Sequence, residues 1–135
     1  MKKLLLVDDE EPIRRLMKTI LEMNGEFSVD TASSAGEAIQ RLGKNGYDAV
    51  VTDMRMETPL AGYDVVRAAS KLEARPVTVI LTAFPVPASE WKRVGADALL
   101  IKGSETLKLS EQIEKLLAVM HPPPRVNGCP LRAKC

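Results

Sequence analysis

Five side chains that could carry out chemistry stand at the ends of apolar runs in this sequence. Asp8 and Asp9 follow the first run, and Asp53 follows the third. Thr82 closes the fourth run, and Lys102 follows the fifth. A carboxylate can attack phosphorus to give an acyl phosphate, while a hydroxyl and an ammonium can stabilise charge on the oxygens of the transferring group. These residue types therefore fit phosphoryl transfer.

Three carboxylates brought to one place repel each other unless a cation compensates their charge. The cation could be a hard divalent ion such as Mg²⁺, which prefers oxygen ligands, or a nearby ammonium. Lys102 and Mg²⁺ together would serve. A single acidic residue at a strand end is usually a helix N-cap or a solvated loop charge. The ordered combination of Asp8, Asp9, Asp53, Thr82 and Lys102 favours the functional interpretation.

The apolar runs have the length of strands and alternate with segments of helical periodicity. They lie at 3–7, 27–31, 47–52, 77–82 and 98–101. Strands that are each followed by a helix imply right-handed crossovers and a parallel sheet covered on both faces. The predicted fold is a doubly wound α/β domain of three layers. The carboxyl ends of its strands would bring the five side chains to one edge of the sheet.

The segments between the strands carry apolar residues at helical spacing. The first helix has Leu16 on its predicted core face, and the second begins with a capping box at Ser34 and buries Ile39. A short fourth helix is predicted at 88–94. Trp91 lies on it, and an aromatic side chain in that place is expected to pack against the core.

Length and charge limit the domain organisation and the class of partner. The chain has 135 residues, of which 45% are hydrophobic, which suits one domain, assigned to residues 1–120. Nineteen Lys plus Arg and 18 Asp plus Glu give a net charge of +1, so a protein or small ligand is expected as partner rather than nucleic acid or a membrane. No apolar run has the length of a signal peptide or a transmembrane helix, and we predict a cytoplasmic protein.

The last residues, 121–135, read HPPPRVNGCPLRAKC and differ in composition from the rest. Three consecutive prolines cannot continue a helix, so we predict a basic, flexible tail. His121, Cys129 and Cys135 could supply three metal ligands. Their spacing matches no strong zinc pattern, which favours the flexible tail over a metal site.

Four segments, LLLVDDE, AVVTDMRM, VILTA and GADALLIKG, resemble the signature segments of the response-regulator receiver family across roughly residues 1 to 120. The resemblance implies a flavodoxin-like (βα)5 fold with strand order 2-1-3-4-5. It also implies that Asp53 accepts a phosphoryl group, that Asp9 binds Mg²⁺ directly and that Asp8 does so through water. The backbone carbonyl of Arg55 would complete the metal site.

The resemblance further implies a switch and a set of partners. Lys102 would pair with the acceptor carboxylate and then with the phosphate, while Thr82 would turn its hydroxyl inward together with the residue at position 99. The phosphoryl donor would be a sensor histidine kinase, a phosphotransfer protein or a small phosphodonor. The chain would catalyse its own phosphorylation and dephosphorylation without being a separate enzyme. It would act as a stand-alone domain on a downstream protein, and a homodimer is left open.

Several positions depart from the family pattern. Glu57 replaces a proline, and Gly62 lies one position farther from Asp53 than the usual glycine. Gly103 follows the lysine where the family commonly has a cis-proline, and we expect a trans bond because a cis bond to another residue costs about 2.5–4 kcal/mol. Leu99 replaces the aromatic half of the switch. These departures suggest ordinary acceptor chemistry coupled to an unusual partner.

Two other functions compete with the phosphorylation switch. A pseudo-receiver would keep the fold as an interaction module but would not respond to phosphate, and Leu99 and Gly103 favour it. A Mg²⁺-dependent phosphohydrolase of another doubly wound type would carry its nucleophile in an Asp-x-Asp motif after the first strand. The adjacent pair Asp8 and Asp9 argues against that enzyme.

Overall fold

The computed structural model describes residues 1–23 and 25–120, and the backbone of residues 125–126 and 129–130. Its main strands are β1 (Lys2–Val7), β2 (Phe27–Ala32), β3 (Ala49–Asp53), β4 (Val77–Thr82) and β5 (Ala98–Ile101). They form one parallel sheet in the order β2-β1-β3-β4-β5. The predicted doubly wound fold and its strand order are confirmed.

Helices follow the strands and cover both faces of the sheet. They are α1 (Glu11–Glu22), α2 (Ala35–Lys44), α3 (Ala61–Ser70), α4 (Ala88–Val94) and α5 (Leu109–Met120), the last preceded by a 3₁₀ turn (Thr106–Lys108). The short fourth helix has the predicted bounds. Two further short strands, β6 (Arg125–Val126) and β7 (Cys129–Pro130), pair antiparallel with each other.

The sheet separates two apolar layers because successive side chains of a strand point to opposite faces. Leu4 and Leu6 of β1 pack with residues of α1 and α5. Leu5 and Val7 pack with residues of α2 and α3 on the other face. Burial on both faces explains why β1 is a continuous apolar run instead of an alternating one. In a smaller cluster beside α4, Trp91 packs partly buried, as predicted.

Two apolar residues that the helical pattern assigned to the core lie at the surface. Leu16 is 57% exposed and Ile39 is 40% exposed. Successive residues of a helix are rotated by about 100°, and the packed faces of α1 and α2 are those of Met17 and Ala38. Leu16 and Ile39 each stand next in sequence to one of these buried residues, so their side chains point away from the packed face of the helix. The core prediction was wrong at both positions.

The first turn of α2 has most of the predicted capping arrangement. The Ser34 hydroxyl accepts a hydrogen bond from the backbone N–H of Glu37 at 3.1 Å. The Glu37 carboxylate accepts from the N–H of Ser33 at 2.7 Å, so the reciprocal bond is displaced by one residue from the usual capping box.

The strand register brings the candidate residues to the carboxyl edge of the sheet. Val7 pairs with Thr52, so the residues that follow them, Asp8 and Asp53, begin side by side. Thr82 is the last residue of β4, the next strand of the sheet. Because β2 and β4 lie on opposite sides of the β1–β3 pair, the chain connections diverge there and leave a crevice, where open α/β sheets bind their ligands.

None of the helices in the described part of the chain combines the length and the hydropathy needed to cross a membrane. The domain boundary at residue 120 and the flexible tail remain predictions. Most of 121–135 lies outside the described residues, as do the side chains of His121, Cys129 and Cys135 on which the rejected metal site depended.

Gly62 in the first turn of α3 packs directly on the end of β3. Its backbone N–H donates to the carbonyl oxygen of Met54 at 2.9 Å. A Cβ atom at this position would lie 2.4 Å from the carbonyl oxygen of Asp53 and 2.9 Å from the Cα of Met54. The absence of a side chain therefore allows α3 to begin close to the candidate acceptor.

We expect the substitution Gly62→Ala to destabilise the fold by about 2 kcal/mol, because backbone atoms must move to accommodate the new methyl group. The matched control is Gly43→Ala in α2, where an added Cβ meets no atom within 4 Å. That control should gain about 0.5–1 kcal/mol from helix propensity. Chemical denaturation measures both values, and equal stability of Gly62→Ala and the wild type would contradict the packing argument.

Candidate functional site

The Lys102 ammonium lies between two carboxylates at the carboxyl edge of the sheet. Its Nζ is 2.9 Å from Oδ2 of Asp53 and 3.1 Å from Oδ2 of Asp8. The side chains of Asp8 and Asp53 are only 3% and 12% exposed, and that of Lys102 is 24% exposed. A charge pair that is largely shielded from water is stronger than the same pair at the surface. Lys102 thus compensates the charge of both acids.

The three predicted acidic residues form one cluster. Carboxylate oxygens of Asp8, Asp9 and Asp53 all lie within 4.8 Å of one another. The backbone N–H of Glu10 donates to Oδ1 of Asp8 at 2.9 Å and fixes the orientation of that carboxylate, while Asp9 is exposed to solvent. The ligand atoms of this cluster are all oxygens, and one of the acidic side chains is accessible to solvent. Such a cluster fits a hard cation of the Mg²⁺ type.

Both oxygens of the Asp53 carboxylate have a donor. Oδ1 accepts the backbone N–H of Met54 at 2.8 Å, and Oδ2 accepts Lys102. Burial raises the pKa of the Asp53 carboxyl above its ordinary value, and the hydrogen bond and charge of Lys102 oppose that rise. Each oxygen keeps a lone pair beyond these bonds, so the carboxylate remains able to act as a nucleophile.

The environment of Lys102 favours its charged form. Burial works against an ammonium, but the hydrogen bonds and charges of Asp53 and Asp8 outweigh that effect and raise the pKa of Lys102 above 10.5. The side chain therefore carries a full positive charge at neutral pH.

Thr82 stands at the opening of the crevice and is almost fully buried. Its Oγ accepts the backbone N–H of Phe84 at 3.2 Å. Phe84 itself is 65% exposed, and the Arg55 guanidinium lies over its ring at 5.6 Å from the centroid. The two side chains border a cleft of about 320 Å³, which is lined by Met54, Arg55, Pro59, Leu60, Thr82, Phe84, Pro85 and Val86.

The two departures near β5 have clear structural consequences. Leu99 is partly buried and packs against the cluster that contains Tyr63 and Ile80. The bond between Lys102 and Gly103 is trans, as predicted, and Gly103 adopts a left-handed φ of 89°. Glycine adopts this conformation without the steric cost that a side chain would impose. The backbone N–H of Lys102 donates to the carbonyl of Thr82 at 2.8 Å, and the chain turns at the glycine that follows.

The structure brings Asp8, Asp9, Asp53 and Lys102 together and puts Thr82 at the adjacent strand end. Sequence reasoning missed the supporting contacts. The Arg14 guanidinium donates to the backbone carbonyl of Asp8 at 2.9 Å, and no motif in the sequence marks that arginine.

Comparison with known proteins connects this geometry with one family. The family profile described as "Response regulator receiver domain" matches residues 4–114. The chain is 34% identical over 119 residues to the transcriptional regulatory protein CpxR homolog of Haemophilus influenzae, covering 87% of this chain and 51% of that protein. It is 30% identical over 130 residues to the chemotaxis protein CheY of Pseudomonas aeruginosa, covering 93% of this chain and 99% of that one.

A solved structure has the same fold. The response regulator TrrA of Thermotoga maritima, in complex with Mg²⁺ and beryllium fluoride, superposes with a TM-score of 0.75 at 31% identity, covering 86% of this chain and 99% of that one. Several curated relatives named as transcriptional regulators are longer, and this chain spans about half of their length.

We expect Lys102→Met to raise the pKa of the Asp53 carboxyl further in metal-free buffer, because the compensating ammonium is lost while burial remains. Carboxyl ¹³C NMR titration measures this pKa. Lys108→Met, which removes an equal charge from an exposed position on the 3₁₀ turn, is the matched control and should leave it unchanged.

The same variant should show a change in stability with pH. A folded-state pKa above the unfolded value means that protonation favours the fold, so Lys102→Met should gain stability relative to the wild type as the pH falls from 7 through the raised pKa. A flat difference in unfolding free energy over that range would show that Lys102 does not compensate Asp53.

Proposed function

The chain belongs to the response-regulator receiver family, and from this membership we propose that it accepts a phosphoryl group on Asp53 and thereby changes its binding to another protein. Receiver domains are signalling domains of two-component systems. The observation that carries the proposal is the Lys102 ammonium, which lies within hydrogen-bond distance of Asp53 and Asp8 beside the open carboxylate of Asp9. Sensor histidine kinases, phosphotransfer proteins and small phosphodonors are the proposed donors.

The acceptor step needs an exposed lone pair and an oriented carboxylate. An oxygen of Asp53 attacks phosphorus, the new O–P bond forms as the bond to the donor breaks, and the donor atom leaves with the electron pair. The N–H of Met54 and the Lys102 ammonium hold the carboxylate in place during the attack. Lys102 then neutralises an oxygen of the bound phosphoryl group. Attack of water on the same phosphorus would break the O–P bond to Asp53, release inorganic phosphate and return the free carboxylate.

The acidic cluster would hold a divalent cation of the Mg²⁺ type. Asp9 and Asp53 would bind it directly, Asp8 through water, and the backbone carbonyl of Arg55 would add an oxygen. Once bound, Mg²⁺ supplies positive charge to the oxygens of the transferring group. The relative from Thermotoga maritima in complex with Mg²⁺ and beryllium fluoride supports this assignment.

The response to phosphorylation is proposed to begin at Thr82. Its hydroxyl donates to the backbone carbonyl of Phe84 at 3.4 Å and would instead donate to a phosphoryl oxygen. Phe84 leads into α4, whose residues are all at least partly exposed. A downstream protein would therefore recognise the segment from Phe84 to Val94.

A second candidate function is a pseudo-receiver that binds its partner regardless of phosphate. Leu99 favours it, because a packed aliphatic side chain lacks the ring of the aromatic residue that usually moves with the threonine. The phosphohydrolase has no comparable support, since the isolated acid Asp53 ends β3 and no Asp-x-Asp motif follows β1.

We expect a single phosphoryl adduct when the protein is incubated with acetyl phosphate and Mg²⁺, and none in Asp53→Asn or in excess chelator. Intact-mass spectrometry under mild conditions measures it. Asp48→Asn is the matched control, because Asp48 lies just before β3, at the opposite end of that strand from Asp53. This variant should be phosphorylated like the wild type. Loss of the metal's positive charge should slow the reaction by at least about a hundredfold.

The outcome separates the two candidates. An adduct that persists in Asp53→Asn would refute the assigned acceptor. No adduct from acetyl phosphate or from histidine kinases would refute the switch and leave the pseudo-receiver. An adduct without any change of amide NMR shifts from Phe84 to Val94 would show that phosphorylation is not transmitted to the proposed surface.

A further inference from the structure

Glu57 in the loop between β3 and α3 binds the first turn of a different helix. Its Oε1 accepts the backbone N–H of Ala35 at 2.9 Å, and its Oε2 accepts that of Gly36 at 3.2 Å. Each bond joins residues more than twenty positions apart. The carboxylate thus connects the loop that follows the acceptor to the N-terminus of α2.

This contact completes the hydrogen bonding of the α2 N-terminus. The first N–H groups of a helix have no partner within it. Ser34 satisfies the N–H of Glu37, and Glu57 satisfies those of Ala35 and Gly36. A negative charge is also favoured at this end of a helix dipole.

The loop is fixed on both sides of the residue that would offer a carbonyl to the cation. On the side toward Asp53, the backbone N–H of Gly62 donates to the carbonyl of Met54, the residue directly after the acceptor. Met56 packs partly buried against the apolar layer beneath α2 and α3. Arg55 has neither a buried side chain nor regular secondary structure. Its backbone depends on these neighbouring anchors.

We propose that Glu57 is a positioning residue for the cation and phosphoryl site, which acts by tying the loop segment Arg55–Glu57 to α2. The inference rests on the proposed function and adds a residue to it. At position 57 this chain has glutamate in place of the family's usual proline, which would restrict the backbone directly. The loop from Asp53 to Gly62 is also one residue longer than usual. The bond to α2 supplies the missing restriction from outside the loop.

Three variants test the role of the contact. Glu57→Ala removes it. Glu57→Gln keeps the size but offers only one accepting oxygen, so part of the contact survives. Ala35→Pro removes the N–H donor and keeps every carboxylate, and proline suits the first position of a helix after the extended Ser34. Glu37→Ala is the control, because it deletes an equal charge from the same turn of α2 without touching the loop.

The measurement is a Mg²⁺ titration of the full chain, followed by the amide NMR shifts of Asp9, Asp53 and Met54. We expect Glu57→Ala and Ala35→Pro to weaken Mg²⁺ binding roughly tenfold, as the loss of supporting contacts does at other metal sites, with Glu57→Gln intermediate. Glu37→Ala should bind like the wild type. Phosphorylation by acetyl phosphate at limiting Mg²⁺ should follow the same order, and saturating Mg²⁺ should restore it.

The outcomes distinguish a positioning role from a structural one. The thermal unfolding temperature is expected to fall in both Glu57→Ala and Glu37→Ala. The first loses the bonds from Ala35 and Gly36, and the second loses the bond from Ser33, just before α2. Mg²⁺ affinity should fall only in Glu57→Ala. Unchanged affinity in folded Glu57→Ala overturns the inference and leaves the proposed function intact. Equal weakening in Glu37→Ala also overturns it, in favour of a general charge effect. A wild type that binds no Mg²⁺ overturns both. If Ala35→Pro does not fold, Glu57→Ala against Glu37→Ala decides.

Discussion

The site depends on the compensation of two nearly buried carboxylates by one ammonium. Asp8 and Asp53 are held side by side by the pairing of β1 with β3, and their charges would repel without Lys102 between them. The lysine in turn is held beside β4 by the hydrogen bond from its backbone N–H to the carbonyl of Thr82, and the chain turns away only at Gly103. The apolar layers on both faces of the sheet keep this edge rigid. The free energy of packing in the whole domain therefore offsets the repulsion between the carboxylates.

Parallel strands explain why residues far apart in sequence reach one crevice. The sheet order makes β1 and β3 neighbours at the point where the chain connections diverge. A slip of one residue in the β1–β3 register would move Asp8 away from Asp53 and also turn the Leu residues of β1 toward the wrong layers. The same hydrophobic pattern therefore fixes the core and the spacing of the acids.

The sequence was sufficient for the fold and for the meeting of Asp8, Asp53 and Lys102 at one edge of the sheet, because strand runs and chemical groups follow each other along the chain. The sequence was insufficient wherever a residue's environment is set by contacts with residues far away in the chain. Leu16 has the same pattern as buried leucines, and only the direction in which α1 packs decides its exposure. Glu57 stood out only as a departure from the family, since its partners on α2 are set by tertiary structure. The roles of Asp53, Thr82 and Leu99 in a switch concern a second state, which one sequence does not encode by pattern.

The proposed acceptor and the proposed reporting surface differ in how firmly they are held. Asp53 is fixed by a backbone N–H, an ammonium and the close approach of Gly62, whereas α4 has seven residues, no side-chain cap and no fully buried side chain. Free energy released at the acceptor would therefore move the weaker element, and the connection between them is the backbone from Thr82 to Phe84. Leu99 packs beside β4 without the aromatic ring that would move with the threonine. In this chain the signal is thus expected to pass along the segment after β4 instead of through β5.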